Sequence, residues 1–211
     1  MTNKTSNYWN SFYSKPAPMS IPSQFAAFSL GEFPEHQQFI DIGCGNGRDA
    51  LFFARHEKKV LGVDASQSAI DVCVKSAREQ GLQNIDFQIL DIDSPEACDA
   101  FYEAHKHEVS DAIVYARFFV HAISESSERN LLRLASKMAG EKGYICLEFR
   151  THRDQALAKE TSSHFRRFVN PVDFSQRVGE EGLHVVYYAE GFGFAKYKGD
   201  DAHAVRFILA N

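Results

Sequence analysis

The sequence predicts a doubly wound α/β fold, with a seven-stranded sheet that is mostly parallel and has an antiparallel last strand. Apolar strand-like runs alternate with helix-like stretches, a glycine-rich turn follows the first run, and no helix-like stretch separates the last two runs. Strands that alternate with helices form a parallel sheet covered on both faces. Two strands that are joined without a helix pair as an antiparallel hairpin.

Seven apolar runs predict the strands of this sheet. They are Gln38–Ile42, Lys59–Val63, Ile85–Leu90, Ala112–Tyr115, Gly143–Phe149, His184–Glu190 and Ala204–Leu209. Five stretches between them predict helices, namely Gly47–His56, Ser66–Gln80, Pro95–His107, Glu125–Ala139 and Pro171–Glu181. Ser66 can cap the helix Ser66–Gln80 at its amino end and Gly81 can end the same helix, while Gly140 can end the helix Glu125–Ala139.

One main domain is expected for a chain of this length. The 211 residues contain no internal repeat or low-complexity linker, and a single domain commonly has about 100 to 200 residues. Pro16, Pro18 and Pro22 set a short N-terminal segment apart from the rest. The predicted boundaries are residues 1–36 for the N-terminal segment and 37–211 for the main domain.

Composition and charge limit the classes of partner. Hydrophobic residues form 44% and charged residues 24% of the chain, which is typical of a soluble globular protein. The apolar stretch 111–123 contains Arg117 and His121, so no membrane partner is expected. The net charge of −5 argues against nucleic acid. The first residues lack the apolar core of a signal peptide, which favours the cytoplasm, and we expect a monomer or homodimer.

Metal and thiol chemistry are not predicted. The four cysteines are scattered and form no Cys-x-x-Cys pair, which argues against a zinc site and against a disulfide framework. His105 and His107 lie on a predicted exposed helix without a constellation of carboxylates. Cys44 is flanked by glycines, so we interpret it as a small loop residue and not as a nucleophile.

The segment after the first strand carries the main motif. Residues 41–49 read Asp-Ile-Gly-Cys-Gly-Asn-Gly-Arg-Asp, in which a strand enters a Gly-x-Gly-x-Gly turn and then a helix. The glycines let the backbone turn sharply and let a ligand approach without meeting a Cβ atom. The free amides of the first helical turn face the carboxyl edge of the sheet, where open α/β folds bind ligands. A ligand is therefore expected at residues 41–49.

Two residues of this motif discriminate between ligand classes. A dinucleotide fingerprint needs glycine or alanine where this sequence has Arg48, so that helix and strand can close around a pyrophosphate. The carboxylate of Asp41 would repel a pyrophosphate, but it can accept a hydrogen bond from the ammonium group of an amino acid. The motif favours a ligand with an amino-acid moiety, and an NAD-dependent oxidoreductase is the alternative.

The acid followed by Gly-x-Gly-x-Gly resembles the first motif of the class I S-adenosylmethionine-dependent methyltransferases. The resemblance continues at Asp64, which ends the second strand and would bind the ribose hydroxyls, and at Asp91 and Ile92, where this family contacts adenine. It implies S-adenosylmethionine as the cofactor. The cofactor-binding residues that it implies are Asp41, Gly43, Cys44, Gly45, Asn46, Gly47, Arg48, Asp64, Ala65, Asp91, Ile92 and Tyr115.

The N-terminal segment is similar to the lid segments of small-molecule methyltransferases such as the thiopurine and tellurite enzymes. The similarity rests on the aromatic run that contains Trp9 and Tyr13 and on the later sequence around Phe25. It implies that Trp9 and Tyr13 also bind the cofactor and that the segment excludes water from the sulfonium. The alternative is that these aromatic side chains simply pack on the core.

Cationic side chains follow the fourth and fifth predicted strands and occupy the loop beyond. In a chain of net negative charge, cations at this edge of the sheet indicate an anionic partner, since the planar fork of arginine donates twice to phosphate or carboxylate. We predict that five residues bind a small anionic acceptor: Arg117, His121, Arg150, Arg166 and Arg167. The alternative is that Arg117 and Arg150 form structural ion pairs with Glu148, Asp41 or Asp154, and that His121 packs against a helix.

These acceptor-side motifs are similar to those of small bacterial methyltransferases from surface-polysaccharide gene clusters. An oxygen of the acceptor, or less favourably a nitrogen, would receive the methyl group. The similarity implies that an acidic saccharide or its precursor is among the candidate acceptors. Alignment and exclusion of water would be the main contributions of the protein. The predicted catalytic residues are His121 or Tyr115 as a base for a hydroxyl acceptor, and Arg117. A non-catalytic S-adenosylmethionine-binding protein, without an open acceptor pocket, is the second alternative.

Overall fold

The computed structural model describes residues 21–109, 111–157, 165–197 and 199–211. A seven-stranded sheet forms its centre in the order β3-β2-β1-β4-β5-β9-β6. The strands are β1 (Gln38–Ile42), β2 (Lys59–Asp64), β3 (Ile85–Ile89), β4 (Ile113–Arg117), β5 (Tyr144–Arg150), β6 (His184–Gly191) and β9 (Ala204–Ala210). Strands β1 to β5 are parallel, whereas β9 lies antiparallel between β5 and β6. The predicted fold class is confirmed.

Helices cover both faces of this sheet. In the described ranges they are α1 (Gln24–Glu32), α2 (Arg48–Arg55), α3 (Gln67–Glu79), α4 (Pro95–His105), α5 (Glu125–Ala139) and α6 (Pro171–Glu180). The side chain of Ser66 accepts a hydrogen bond from the amide of Ala69 at 3.2 Å and caps α3, as the sequence predicted. Gly140 ends α5 with a positive φ of 62°. The core strands are apolar on both sides because each face packs against a helical layer.

Two elements have no counterpart among the sequence-based predictions. Helix α1 packs on the sheet through Phe25 and Ala26, both of which are fully buried, and the Phe25 ring stacks on Tyr115 with 5.2 Å between the centroids. A short ribbon of β7 (Lys196–Tyr197) and β8 (Asp200–Asp201) lies in the connection between β6 and β9. The part of the chain before residue 21, including Trp9 and Tyr13, lies outside the described residues.

The strand order positions the functional site. Strand β1 is followed along the chain by β2 on one side, while β4 lies on its other side, so the order of the sheet reverses between β1 and β4. Such a reversal opens a crevice at the carboxyl ends of the strands. The amides of Gly43 and Cys44 donate to the carbonyl of Val63 at 2.8 and 3.0 Å, which ties the turn after β1 to the end of β2. Within the described residues, no helix is both long and apolar enough to cross a membrane.

Candidate functional site

The crevice between the ends of β1 and β4 holds an open pocket of about 800 Å³. Its walls bring together most of the residues that the sequence predicted for the cofactor, and one of those predicted for the acceptor. The predicted residues that line it are Asp41, Gly43, Cys44, Gly45, Asn46, Arg48, Asp64, Tyr115 and Arg117. The pocket is therefore formed by the Gly-x-Gly-x-Gly turn on one side and by the end of β4 on the other.

The backbone of the glycine turn needs glycine for physical reasons. Gly43, Gly45 and Gly47 have φ values of 74°, 57° and 73°, in the left-handed region that other residues rarely adopt. A Cβ atom at Gly43 would collide with the ring of Phe119, and one at Gly47 would lie 2.8 Å from the Sγ atom of Cys73. The absence of these Cβ atoms lets the turn pack tightly and leaves its pocket side open.

Two carboxylates flank this turn. Asp41 is buried, and burial together with the nearby negative charges of Asp49 and Asp64 raises its pKa well above the usual value. Asp64 accepts hydrogen bonds from the amides of Gly45 at 3.0 Å and Ser66 at 2.9 Å. Burial raises the pKa of Asp64 as well, although these amides oppose the effect. A cationic ligand group near Asp41 would relieve the unfavourable charge there.

Asp49 is a third carboxylate at the pocket; it ends the predicted ligand segment 41–49 but was not among the predicted cofactor-binding residues. It accepts hydrogen bonds from the Ser23 amide at 2.8 Å, the Ser23 hydroxyl at 2.7 Å, the Tyr115 hydroxyl at 2.9 Å and Arg48 Nε at 3.1 Å. Burial alone would raise the pKa of Asp49, but the cations of Arg48 and Arg117 and the bonds from Ser23 lower it. Its place in the first turn of α2 was the available signal, since helix N-termini favour acids.

The Asp49 network also defines the state of Tyr115. The ring of Tyr115 is fully buried between Phe25 and Phe53, and burial raises the pKa of its hydroxyl well above the usual value. The Tyr115 hydroxyl therefore keeps its proton and donates a hydrogen bond to Asp49, which joins α1, α2 and β4 at the pocket wall.

The cations predicted for the acceptor divide into two groups. Arg117 lines the pocket, and its Nε donates to the fully buried Glu148 at 2.8 Å. Glu148 is shared with Arg206, whose Nε donates to it at 2.7 Å. Among the described residues, the Nη groups of Arg117 make no hydrogen bond, so they are available to a ligand.

Arg150, Arg167 and His121 lie in buried contacts and not on the pocket wall. Arg150 pairs with Asp154 and Asp200, and Arg167 pairs with Glu128, which is fully buried. These contacts match the ion-pair alternative for Arg150. His121 is 4% exposed, and its Nδ1 accepts from the Arg150 amide at 3.3 Å. Arg166 is half-buried in the loop that precedes Val169.

Phe118 has an unusual backbone at the pocket wall. Its φ of 56° places a bulky residue in the left-handed region, where strain is expected, and its amide donates to the Glu148 carbonyl at 2.7 Å. The guanidinium of Arg117 lies over the Phe118 ring at 4.3 Å from the centroid. Phe119 and Ala122 continue the apolar wall. No role was predicted from the sequence for Phe118 or Phe119.

The remaining predicted residues lie beside the pocket. Gly47 precedes the first residue of α2, and Ala65 follows Asp64. Asp91 and Ile92 follow β3, where Asp91 accepts from the Asp93 amide at 3.1 Å and the Ile92 side chain is buried in the core. Their roles toward a cofactor stay predictions. In the described parts of the chain, no group of three or more His, Cys, Asp or Glu residues is placed to hold a metal ion.

Comparisons with known proteins agree with this geometry. Residues 34–170 match the model of a family described as a methyltransferase domain. A solved structure, an S-adenosylmethionine-dependent methyltransferase from Anabaena variabilis, superposes with a TM-score of 0.71 at 22% identity and covers 100% of this chain and 96% of its own. This likeness shows a shared fold.

Two curated relatives match parts of the chain. A 2-heptyl-1-hydroxyquinolin-4(1H)-one methyltransferase from Mycobacteroides abscessus is 26% identical over 71% of this chain and 66% of its own length. A 23S rRNA (uracil(1939)-C(5))-methyltransferase from Methylococcus capsulatus is 30% identical over 38% of this chain and 18% of its own. This chain therefore spans less than two thirds of either relative.

Proposed function

This chain belongs to the class I S-adenosylmethionine-dependent methyltransferases, and on this premise we propose that it transfers the methyl group of S-adenosylmethionine to an oxygen of a small anionic acceptor. The acceptor would carry a carboxylate or a phosphate, and acidic saccharides or their precursors are among the candidates. The observation that carries the proposal is the position of Arg117 at the end of β4, where it lines the pocket and, among the described residues, its Nη groups make no hydrogen bond. Family membership gives no support to the NAD-dependent alternative.

The residues at the glycine turn fit S-adenosylmethionine. Asp41 is a buried carboxylate whose pKa is raised by burial and by the like charges of Asp49 and Asp64, and the ammonium of the cofactor would offset these effects. The left-handed turn at Gly43 and Gly45 gives the close backbone approach that a ligand needs. When bound, the cofactor supplies an activated methyl group and its own leaving group. The protein holds it through Asp41, Asp64 and the turn.

The proposal assigns no base to the reaction. His121 does not line the pocket, and the Tyr115 hydroxyl keeps its proton and donates to Asp49. An acceptor oxygen that is already ionised needs no base, because a lone pair is available for attack on the methyl carbon. Arg117 would then orient the anion, and closure of the pocket would exclude water. S-adenosylhomocysteine is the expected second product.

The N-terminal segment completes the proposal. We retain residues 1–36 as a lid and residues 37–211 as the main domain, with Trp9 and Tyr13 near the cofactor. The contact of Ser23 with Asp49 supports this assignment, because it fixes the start of α1 directly at the pocket wall. The name of the curated quinolone relative describes a compound with a hydroxyl group, which agrees with an oxygen acceptor.

The Arg117→Lys variant tests the acceptor proposal. Lysine keeps the charge but loses the two-pronged donor geometry, so kcat/KM for the acceptor should fall by about tenfold or more while cofactor affinity stays unchanged. The acceptor is found first, by screening acidic sugars, sugar phosphates and small acids for release of S-adenosylhomocysteine.

The melting temperature of the same variant separates the two interpretations of Arg117. Arg133→Lys is the matched control, since Arg133 makes its ion pair with Glu181 at the surface. A lower melting temperature together with unchanged kinetics would show that Arg117 serves only as a structural ion pair of Glu148.

The Asp64→Ala variant tests the cofactor site. Removal of this carboxylate should weaken S-adenosylmethionine binding by about 1–3 kcal/mol, the usual cost of leaving a buried polar group without its partner. Isothermal titration calorimetry measures the loss. Asp71→Ala is the control, because Asp71 is an exposed carboxylate on α3 that accepts a hydrogen bond from Gln67 and does not line the pocket. Equal affinities of wild type and Asp64→Ala would remove Asp64 from the site.

Asp41→Asn should change how stability depends on pH. The raised pKa of Asp41 means that the folded chain holds this proton more tightly than the unfolded chain does. The stabilising contribution is full below about pH 4, the usual pKa of aspartate, and is lost as pH rises through the raised pKa. The wild type should therefore lose stability relative to Asp41→Asn toward neutral pH in urea unfolding.

Added cofactor should reverse the order of stability of the wild type and Asp41→Asn at neutral pH. S-adenosylmethionine brings the missing ammonium to the ionised carboxylate, so it should stabilise the wild type more than Asp41→Asn at neutral pH. A stability difference that is the same at every pH, with and without cofactor, would show that Asp41 carries no titrating role at the site.

A further inference from the structure

The acceptor end of the pocket has a composition that narrows the class of acceptor. Among the described residues, this end is formed by Arg117, Phe118, Phe119 and Ala122, with the Tyr115 ring behind them. Arg117 is its single cation, and the Tyr115 hydroxyl is already bonded to Asp49. The wall thus combines one two-pronged donor with a flat apolar surface.

Such a wall suits some anions better than others. A sugar presents several hydroxyl groups, and each needs a polar partner when it is taken out of water. The described side chains at this end offer only the guanidinium of Arg117 for that purpose. A planar aromatic ring, by contrast, can lie against Phe118 or Phe119, and aromatic pairs of this kind contribute beyond the area they bury.

The position of Phe118 is maintained at a conformational cost. Its left-handed backbone is unfavourable for a bulky side chain, and strain of this kind persists where the surrounding contacts hold it. Three contacts do so: the amide bonds to the Glu148 carbonyl, and the ring lies beneath the guanidinium groups of Arg117 at 4.3 Å and Arg150 at 5.4 Å. Arg150, although it lies away from the pocket, thereby fixes the ring that lines it.

We propose that the acceptor is a planar aromatic acid, whose ring packs against the aromatic wall of Phe118 and Phe119 and whose anionic group pairs with the Nη groups of Arg117. This inference rests on the proposed function and assigns Phe118 as a residue that determines specificity. The shared carboxylate of aromatic and sugar acids would bind Arg117 in both cases, so the ring is what distinguishes them. A sugar acid would leave its hydroxyl groups facing phenylalanine.

The test compares two acids that carry the same charge. Binding of 4-hydroxybenzoate and of glucuronate is measured by saturation-transfer NMR and calorimetry in the presence of S-adenosylhomocysteine. We expect 4-hydroxybenzoate to bind about tenfold more tightly than glucuronate. Phe118→Gly should weaken the binding of 4-hydroxybenzoate by a similar factor, because glycine removes the ring and tolerates the left-handed backbone. It should weaken the binding of glucuronate much less, since glucuronate loses only the support that the ring gives to Arg117. The binding of S-adenosylhomocysteine should stay unchanged.

Thermal melts show whether the variant remains folded, since glycine relieves the strained backbone but loses the contacts of the ring with Arg117 and Arg150. Phe192→Ala, which removes an exposed phenylalanine outside the pocket, should leave both affinities unchanged. If glucuronate binds as tightly as 4-hydroxybenzoate, or if Phe118→Gly leaves 4-hydroxybenzoate unchanged, the aromatic inference is overturned while an anionic acceptor stands. If neither acid binds while S-adenosylhomocysteine does, the anionic acceptor of the proposed function fails with it.

Discussion

Replacing Glu148 with alanine should lower the free energy of unfolding by about 3–5 kcal/mol, the usual cost of removing one partner from a buried ion pair. Glu148 is fully buried and accepts hydrogen bonds from Arg117 and Arg206 at 2.8 and 2.7 Å. Without the carboxylate, the guanidinium groups of Arg117 and Arg206 would lose the buried counter-charge that they share. Urea unfolding, followed by far-ultraviolet circular dichroism, measures the change.

A surface ion pair provides the control for this prediction. Glu180 pairs with Arg129 at 3.0 Å, but both side chains are substantially exposed. Exposed pairs contribute little, so Glu180→Ala should change the free energy of unfolding by less than about 1 kcal/mol. If Glu148→Ala were as mild as this control, the buried arrangement of Arg117, Glu148 and Arg206 would not be what stabilises the end of β4.

The Gly45→Val variant should lose measurable S-adenosylmethionine binding and remain folded. Gly45 has a φ of 57°, and a β-branched residue in that region is strained, so the turn would have to move. The same movement would displace the Gly45 amide from Asp64, which it reaches at 3.0 Å. Calorimetry measures the binding, and circular dichroism measures the fold.

Gly182→Val is the control for this variant. It separates the loss of cofactor binding from the loss of stability that valine causes at any glycine with a positive φ. Gly182 has a φ of 77°, and a Cβ atom there would meet no atom within 4 Å, so valine has a similar backbone penalty at a position remote from the pocket. This control should lose some stability and keep its cofactor affinity. If Gly45→Val bound the cofactor as tightly as the wild type, the glycine turn would not be the cofactor site.

The fold could be predicted because its determinants are local in the sequence. The limits of β1, β2 and β3 agree with the predicted runs to within one residue. Strands β1 and β2 are largely buried on both faces, so they must be apolar along most of their length. Helix α1 could not be predicted in this way. Its segment Gln24–Glu32 is not clearly amphipathic, and it folds because Phe25 packs on Tyr115 and Ser23 bonds to Asp49.

The cations at the strand ends show where the sequence is insufficient. Their number indicated an anionic partner, but the carboxylates that pair with them lie far along the chain. Glu148 is 31 residues from Arg117 and 58 from Arg206, and Asp200 is 50 residues from Arg150. Only the pair of Arg150 with Asp154, four residues apart, is local. The sequence left ion pairs open as an alternative, and the choice required β4, β5 and β9 to be placed side by side.

The sequence by itself determined the class of fold and the place of the glycine turn. The periodicity of apolar residues and the backbone freedom of glycine depend on only a few neighbouring residues. The tertiary structure decided which cation faces the pocket and which cations are held in ion pairs, since that choice depends on the packing of distant strands. It also decided that Asp49 joins Ser23 and Tyr115, and that Phe118 adopts a strained backbone beside Arg117. These contacts arise from long-range packing, which fixes the chemistry at the acceptor end of the pocket.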